Sequence, residues 1–130
     1  MILGIGIDTI EVDRFASWHT YSQKKLLRIF SQEEIEYCLE KSNLSAERFA
    51  VRFAAREALY KALSYSYPDT KIPFLTLCAR ISVIKKNGLP HLTIHNDLGI
   101  DTSSLIIHLS LSHSRTVATA CVVIEQRYIV

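Results

Sequence analysis

Residues that mark secreted, fibrous and membrane-spanning proteins are scarce in this sequence. Its 130 residues include only three cysteines, four glycines and three prolines. Cys38, Cys78 and Cys121 lie far apart and form no CxxC pair, so we expect buried thiols in a reducing cytosol rather than a disulfide framework or a zinc site. No apolar run approaches the roughly 18 residues that a membrane helix needs. The apolar N-terminus has no basic leader and is not expected to be a signal peptide.

The composition predicts one folded domain. Hydrophobic residues make up 48% of the chain and charged residues 22%, whereas disordered chains combine low hydrophobicity with high net charge. A length of 130 residues suits a single domain with its own core, covering residues 1–130. The net charge is only +2 and predicts no nucleic-acid partner. We therefore expect a cytoplasmic domain that binds neither nucleic acid nor a membrane.

The first half of the chain predicts one strand followed by helices. Residues 2–10 are aliphatic and β-branched and predict a strand, in which Gly4 and Gly6 indicate a bulge or a close backbone approach. Residues 12–30 show helical spacing, and the capping-box spacing of residues 31–34 starts a second helix that runs to about residue 39. The strongest helix signal is the alanine-rich segment 46–64.

The second half predicts strands. Residues 75–85 alternate in polarity, and the tight-turn pair Asn87-Gly88 joins them to a second strand at 89–95. Residues 105–112 and 116–125 form a further strand pair. Because helices precede a run of strands, the sequence predicts an α+β fold, with an antiparallel sheet and helices packed on it.

Asp8 is the first residue that invites a chemical role. It follows Gly4 and Gly6 near the end of the first strand, where a carboxylate can face an open edge. The alternative is an ordinary polar strand terminus, since surface carboxylates are common. A dinucleotide-binding fingerprint is excluded, because no third glycine follows and no helix begins at the second.

Glu57 and Lys61 are four residues apart on one face of the predicted helix 46–64. One interpretation is an exposed ion pair that supports the helix. However, this helix is apolar nearly all round, so Glu57 is expected to be partly buried. A buried carboxylate needs a partner or a metal.

His113 follows an alternating strand and is flanked by Ser112 and Ser114. It is placed to donate to a phosphate or to move a proton, and the alternative is a solvated turn residue. A Ser-His-Asp hydrolase built from Ser112, His113 and Asp8 is discounted. Adjacent strand residues point to opposite faces, and the nucleophile-elbow pattern is absent.

Taken in order, the motifs resemble those of the holo-(acyl-carrier-protein) synthases, which are 4'-phosphopantetheinyl transferases. The likeness covers nearly the whole chain. It is carried by GIGID at 4–8 with Arg14 following, RIFSQEE at 28–34, RFAAREALYKA at 52–62, NGLP at 87–90 and LSLSHS at 109–114.

The resemblance implies transfer of 4'-phosphopantetheine from coenzyme A to a serine of an apo-acyl-carrier protein, which supports fatty acid biosynthesis. Adenosine 3',5'-bisphosphate is the second product. The family pattern assigns Mg²⁺ to Asp8 and Glu57. It assigns the coenzyme to Lys61 and His113, together with Arg52, which opens the helix motif. Glu57, Lys61 and His113 form the expected catalytic set. The resemblance also implies a cyclic homotrimer with active sites between subunits.

These residues suit the chemistry of attack on the coenzyme A pyrophosphate. Phosphoryl transfer depends on positioning and charge neutralisation more than on covalent catalysis. Mg²⁺ is held by one or two carboxylates plus phosphate oxygens and water. The serine nucleophile belongs to the carrier protein, so no activated nucleophile is needed in this chain. The base that deprotonates the serine stays open between Glu57, a metal-bound water and another carboxylate.

Two departures from the family pattern stand out. Arg56 occupies a position where lysine is usual, which keeps the charge. The segment at 64–67, Ser-Tyr-Ser-Tyr, lacks the glycines that often follow this helix, which questions a close backbone approach to the coenzyme there.

Acidic carrier proteins require a cationic docking surface. Arg14, Lys25 and Arg28 fall within roughly 60° of one another on a continuous helix and predict such a stripe. Two other functions remain open from the sequence. A metal-dependent phosphodiesterase or nucleotide pyrophosphatase would use water as acceptor, and a small trimeric binding module would keep Glu57 and Lys61 as a structural pair.

Overall fold

A computed structural model of the chain describes residues 1–95 and 97–128. Short 3₁₀ turns at Val12–Phe15, Trp18–Thr20 and Ser42–Leu44 separate the longer elements. The strands are β1 (Ile2–Glu11), β2 (Ile81–Lys86), β3 (Leu89–Ile94), β4 (Leu105–His113) and β5 (Val117–Gln126), and the helices are α1 (Gln23–Leu26), α2 (Gln32–Leu39), α3 (Ser45–Ser66) and α4 (Phe74–Ala79).

The strands form two antiparallel sheets, which confirms the predicted α+β class. β5 lies in the middle of a three-stranded sheet of order β1-β5-β4, and β2 pairs with β3 in a separate hairpin. Asn87 and Gly88 both have positive φ at the hairpin turn, as the sequence predicts. In the larger sheet Asp8 pairs with Ala120, which pairs in turn with Leu111.

Helix α3 covers one face of the three-stranded sheet. Its alanines Ala54, Ala58 and Ala62 are fully buried, and small residues allow the helix to approach the strands closely. A Cβ at Gly6 would overlap the carbonyl oxygen of Ala58, and one at Gly4 would overlap that of Ala62. The two glycines predicted to mark a close backbone approach therefore set the contact between β1 and α3.

The opposite face of this sheet has no helix over it in the described part of the chain. Ile5 and Ile7 of β1 are 61% and 60% exposed there. Cys121 and Val123 of the central strand lie on the same face and are only half-buried. We call this apolar surface the outer face.

The predicted helix at 12–30 is wrong. The chain there forms two 3₁₀ turns and the four-residue helix α1, which Ser22 caps. Aromatic packing explains the difference, since Phe15 contacts Trp18 and Phe53, with ring centroids 4.5 and 5.4 Å apart. Trp18 also contacts Tyr21. Packing these rings against α3 overrides the local helical spacing.

The predicted strand at 75–85 is also wrong in its first half. Helix α4 begins after Pro73 and buries Leu77 and Cys78, and β2 begins only at Ile81. Proline is favoured at a helix start because it has no N–H to leave unpaired. The predicted capping box is confirmed, since Ser31 and Glu34 bond reciprocally at the start of α2.

No helix among the described residues is both long and apolar enough to cross a membrane.

Candidate functional site

Asp8 and Lys61 meet where β1 packs on α3. Gly4, Gly6 and Asp8 alternate along β1 and share the face that meets the helix. Lys61 donates a hydrogen bond to Asp8 Oδ1 at 3.2 Å and another to the Ile7 carbonyl oxygen at 2.9 Å. The Asp8 side chain is 16% exposed and that of Lys61 is 52% exposed, so the pair opens to solvent.

Glu57 lies one turn before Lys61 on the same face of α3. Burial raises the pKa of Glu57, and the negative charge of Asp8 raises it further. Lys61 and Arg14 oppose that shift. Two carboxylates and two cations are thus gathered at one place, as the sequence predicts for Asp8, Glu57 and Lys61.

This pair of carboxylates fits a magnesium ion. Within residues 1–95 and 97–128, no group of three or more His, Cys, Asp or Glu side chains forms a metal cage. Mg²⁺ does not need one, because it keeps several waters and takes its other ligands from substrate phosphates. Burial is the main cause of the raised pKa of Glu57, and a divalent cation would relieve the repulsion by Asp8 that adds to it.

A cationic cleft of about 280 Å³ lies between α2, the first half of α3, β2 and β4. Three cations surround Tyr37 within it. The guanidinium groups of Arg48 and Arg52 lie 3.9 and 4.5 Å from the centre of its ring. Lys85 donates a hydrogen bond to the Tyr37 hydroxyl at 2.8 Å. That bond lowers the pKa of Tyr37 against the opposing effect of burial, and the charge of Arg48 adds to it.

Arg52 lacks a partner for one of its donors. It is 5% exposed, and its Nε is buried without a hydrogen-bond partner among the described residues. Its Nη1 donates to the Arg48 carbonyl oxygen at 3.2 Å. A buried guanidinium with an unused donor favours an anionic ligand in this cleft. His113 lines the same cleft, with its Nδ1 3.6 Å from the Glu47 carboxylate.

Within one chain the predicted site residues form two separate groups. Asp8, Glu57 and Lys61 lie at the β1 edge of the sheet, while His113 lies on β4 at the other edge. β5 separates the two strands, so their backbones are about 10 Å apart. Arg52 and Glu57 are five residues apart on α3, about 140° around the helix. The chain therefore does not bring Arg52 and His113 to the carboxylate pair.

Arg56 points away from both groups. Its side chain is fully buried and forms an ion pair with Glu34 of α2 at 2.6 Å. It also donates to the carbonyl oxygens of Cys78 and Ile81 at 3.4 and 3.1 Å. The arginine that replaces the usual lysine thus joins α2, α3 and β2 rather than contributing charge to a site.

Arg48, Lys85 and Tyr37 were not predicted as site residues. For Arg48, the sequence offered one signal, which is its spacing of four residues from Arg52 on the same predicted helix. Lys85 and Tyr37 come from distant segments that only the tertiary structure brings together.

The predicted docking residues are exposed but do not form a helical stripe. Arg14 belongs to a 3₁₀ turn, Lys25 to α1, and Arg28 to the turn that follows α1. The predicted arrangement of these three residues on one continuous helix is therefore wrong. Arg14 lies close enough to Glu57 to oppose the rise in its pKa, and Lys25 lies 3.9 Å from the centre of the Tyr21 ring.

Comparison with known proteins gives one consistent family. Residues 4–121 match the family model of the 4'-phosphopantetheinyl transferase superfamily. The holo-[acyl-carrier-protein] synthase of Treponema denticola is 40% identical over 129 residues, covering 96% of this chain and 99% of the relative.

Solved structures agree. A Bacillus anthracis holo-(acyl-carrier-protein) synthase in complex with CoA (3',5'-ADP) is 34% identical with a TM-score of 0.75, and the match covers 97% of this chain and 98% of that one. The Helicobacter pylori synthase in complex with coenzyme A is 29% identical with a TM-score of 0.68, and the match covers 93% of this chain and 99% of that one. The chain belongs to the 4'-phosphopantetheinyl transferase superfamily.

Proposed function

We propose that this chain is a Mg²⁺-dependent transferase that moves 4'-phosphopantetheine from coenzyme A to a serine of an apo-acyl-carrier protein. The product would be holo-carrier protein for fatty acid biosynthesis. The observation that carries the proposal is the meeting of Asp8, Glu57 and Lys61 between β1 and α3. Membership of the 4'-phosphopantetheinyl transferase superfamily supports the same reaction. Cys38, Cys78 and Cys121 are free thiols, which suits the reducing cytoplasm where we place the reaction.

The reaction exchanges one phosphorus–oxygen bond for another. The carrier serine oxygen bonds to the phosphorus that bears pantetheine, and the bond from that phosphorus to the bridging oxygen breaks. Adenosine 3',5'-bisphosphate leaves, and the serine proton passes to a base. When bound by Asp8 and Glu57, Mg²⁺ supplies neutralising charge to the pyrophosphate oxygens.

The residues of the chain orient the pyrophosphate. Lys61 lies one turn from Glu57 and supplies a second positive charge at the same edge of α3. Its side chain is 52% exposed, so its ammonium group can exchange Asp8 for a phosphate oxygen. The base that accepts the serine proton stays open between Glu57, a metal-bound water and another carboxylate.

The cationic cleft suits the nucleotide end of coenzyme A. Arg48, Arg52 and Lys85 supply charge for phosphate, and His113 lines the same cavity. Aromatic and aliphatic side chains complete the lining, including Tyr37. Such a mixture of an apolar wall and a few charged donors is typical of nucleotide pockets.

A cyclic homotrimer would unite the two halves of the site. The outer face exposes Ile5 and Ile7, and adjacent exposed apolar side chains of this kind favour an interaction surface. A head-to-tail cyclic contact closes a ring, so that the β1 edge of one subunit can meet the β4 edge of the next. Each site would then take Asp8 and Glu57 from one chain and His113 from its neighbour.

Mixed trimers test the shared site. Asp8→Asn and His113→Ala chains, each nearly inactive alone, are refolded together at equal amounts. If sites are shared, about a quarter of them combine two intact halves and activity returns. A site contained within one chain would leave the mixture inactive. Sedimentation gives a parallel measurement. The Ile7→Glu variant should dissociate the trimer and sediment as a monomer.

Carrier docking is assigned to Arg14, Lys25 and Arg28, which are exposed cations in the segment that follows β1 in the chain. Because Arg14 lies close to Glu57, Lys25→Glu and Arg28→Glu separate docking from the site itself. Both should raise the carrier-protein KM and flatten its salt dependence, with the coenzyme A KM unchanged. Lys86→Glu, an exposed charge on the distant β2–β3 hairpin, is the matched control. Unchanged carrier KM would place docking elsewhere.

The decisive assay weighs the carrier protein after incubation with coenzyme A, Mg²⁺ and enzyme. A mass gain of one phosphopantetheine group is expected. Asp8→Asn or Glu57→Gln should lower kcat/KM by about 100-fold or more while leaving unfolding unchanged, and should abolish Mg²⁺-dependent binding of adenosine 3',5'-bisphosphate. Asp13→Asn and Glu33→Gln, both exposed, are the matched controls. Coenzyme A hydrolysis without carrier would instead support the phosphodiesterase interpretation.

A further inference from the structure

Tyr37 of α2 contacts all three cations of the cationic cleft. Lys85 of β2 donates to its hydroxyl at 2.8 Å, and the Lys85 ammonium lies 5.0 Å from the centre of its ring. Arg48 of α3 lies over the same ring and also donates through Nη1 to the Tyr37 backbone carbonyl oxygen at 2.7 Å. Arg52, one turn further along α3, lies over the ring as well. One residue of α2 thus touches cations from two other elements.

These cations are held close together with little help from carboxylates. Among the described residues, neither Arg52 nor Lys85 forms an ion pair. Arg48 lies 3.8 Å from Glu40, whose side chain is 59% exposed, and an exposed pair of this kind contributes little. Like charges at such short separations repel one another. The face of an aromatic ring attracts cations through its π electrons, so the Tyr37 ring opposes the repulsion.

The cations are therefore ordered and still available to an anion. A carboxylate partner would have to be displaced by an anionic ligand, whereas an uncharged ring and hydroxyl stay in place. Glu47, the one acidic residue among those that line the cleft, faces His113 instead. Lysine and arginine side chains lose much rotamer freedom when they bind a ligand. Cations that Tyr37 already holds would bind at a lower entropic cost.

We propose that Tyr37 is a positioning residue for the transfer reaction, which orders Lys85 through its hydroxyl and the two arginines through its ring before coenzyme A enters the cleft. The inference rests on the proposed transferase function, which assigns this cleft to the nucleotide end of the coenzyme. Tyr37 acts through the cations and not by touching the coenzyme. The phosphorus under attack lies beside Asp8 and Glu57, so Tyr37 should govern coenzyme affinity and not the chemical step.

Removing the hydroxyl tests the part of the proposal that concerns Lys85. Tyr37→Phe should raise the Kd of adenosine 3',5'-bisphosphate, measured by calorimetry, and the KM of coenzyme A by about three- to fivefold. The kcat and the carrier-protein KM should stay within about twofold of the values for the unmodified chain. Tyr128→Phe, at a tyrosine that is 72% exposed, is the matched control and should change none of these quantities.

A double-mutant cycle shows whether the hydroxyl acts through Lys85. Lys85→Met removes the charge but keeps an unbranched side chain, and Lys86→Met on the same strand is its matched control. In the Lys85→Met background, adding Tyr37→Phe should weaken bisphosphate binding no further. Lys85→Met should also raise the pKa of Tyr37, because the hydrogen bond from Lys85 is the largest cause of its lowering. The difference in phenolate absorbance between Lys85→Met and the double variant measures that titration.

A fluorinated phenylalanine at position 37 tests the part of the ring. Fluorine withdraws π electrons from the face of the ring, so the attraction for the two guanidinium groups weakens while the side chain stays similar in size. Bisphosphate binding should be weaker than in Tyr37→Phe by about two- to fivefold. Equal affinity of the two variants would show that the ring does not position the arginines.

Three further results would overturn the proposal. An unchanged bisphosphate Kd in Tyr37→Phe would show that Lys85 needs no positioning. A full effect of Tyr37→Phe in the Lys85→Met background would show that the hydroxyl acts on the ligand directly. A fall in kcat with no change in the coenzyme A KM would place the effect on the chemical step. Failure of the transferase function itself is distinguishable, because the unmodified chain would then transfer nothing to the carrier protein.

Discussion

Replacing Glu34 with glutamine should destabilise the protein far more than an ordinary change on α2. The Glu34 and Arg56 side chains are both fully buried. Arg56 donates to Glu34 Oε1 at 2.6 Å and to Oε2 at 2.8 Å. The backbone N–H and the hydroxyl of Ser31 donate to Oε1 at 3.2 and 3.0 Å. A single carboxylate thus caps α2 and balances the charge of an arginine on α3.

The Glu34→Gln variant removes the negative charge of residue 34 but keeps its capping of α2. Glutamine also serves in a capping box, so its oxygen at the Oε1 position can still accept from Ser31. Its NH₂ group then replaces Oε2 and faces a donor of Arg56 instead of accepting from it. Removing one partner of a buried ion pair costs about 3–5 kcal/mol, because the remaining charge is left uncompensated in the interior.

Urea unfolding followed by circular dichroism, at one fixed protein concentration, measures this cost. Glu33→Gln, one residue earlier and exposed, should stay within about 0.5 kcal/mol of the unmodified chain. Glu34→Gln should lower Tm by about 10 °C or more. Transfer activity at low temperature should survive, since Arg56 points away from Glu57.

A double-mutant cycle completes the argument. Arg56→Met combined with Glu34→Gln removes both charges, so the double variant should be more stable than the sum of the single costs by about 2–3 kcal/mol. If Glu34→Gln costs no more than Glu33→Gln, the ion pair does not carry the stability that its burial indicates. A coupling energy near zero would refute the reasoning in the same way.

Three further outcomes follow from the packing and the site. Gly6→Ala should destabilise the fold by about 3 kcal/mol or more, because its Cβ would overlap the Ala58 carbonyl oxygen; unchanged urea unfolding would contradict this contact. Burial raises the pKa of both Cys38 and Cys78 to about 12. A raised thiol pKa leaves little thiolate, so iodoacetamide at pH 8 should modify neither in the native protein and both in urea; mass spectrometry detecting native modification would argue against burial. EDTA should abolish transfer and added Mg²⁺ restore it, and full activity in the chelator would exclude the metal.

Local patterns by themselves determined several elements of this protein. Alanine content and spacing predict α3, Ser31 and Glu34 predict the start of α2, and Asn87-Gly88 predicts the hairpin turn. Each depends on residues within a few positions of one another, so the sequence is enough. The order of the motifs likewise predicts the family that the comparisons confirm.

Tertiary contacts decided the rest. Residues 12–30 have helical spacing, yet the packing of Phe15 and Trp18 on α3 breaks the helix into short turns. Arg56 stands beside Glu57 in the sequence, but it pairs in the interior with Glu34, which is 22 residues away. The cationic cleft and the separation of His113 from Asp8 also depend on which distant segments pack together. Local spacing carries no information about such partners, because burial and charge pairing are set by the whole folded chain.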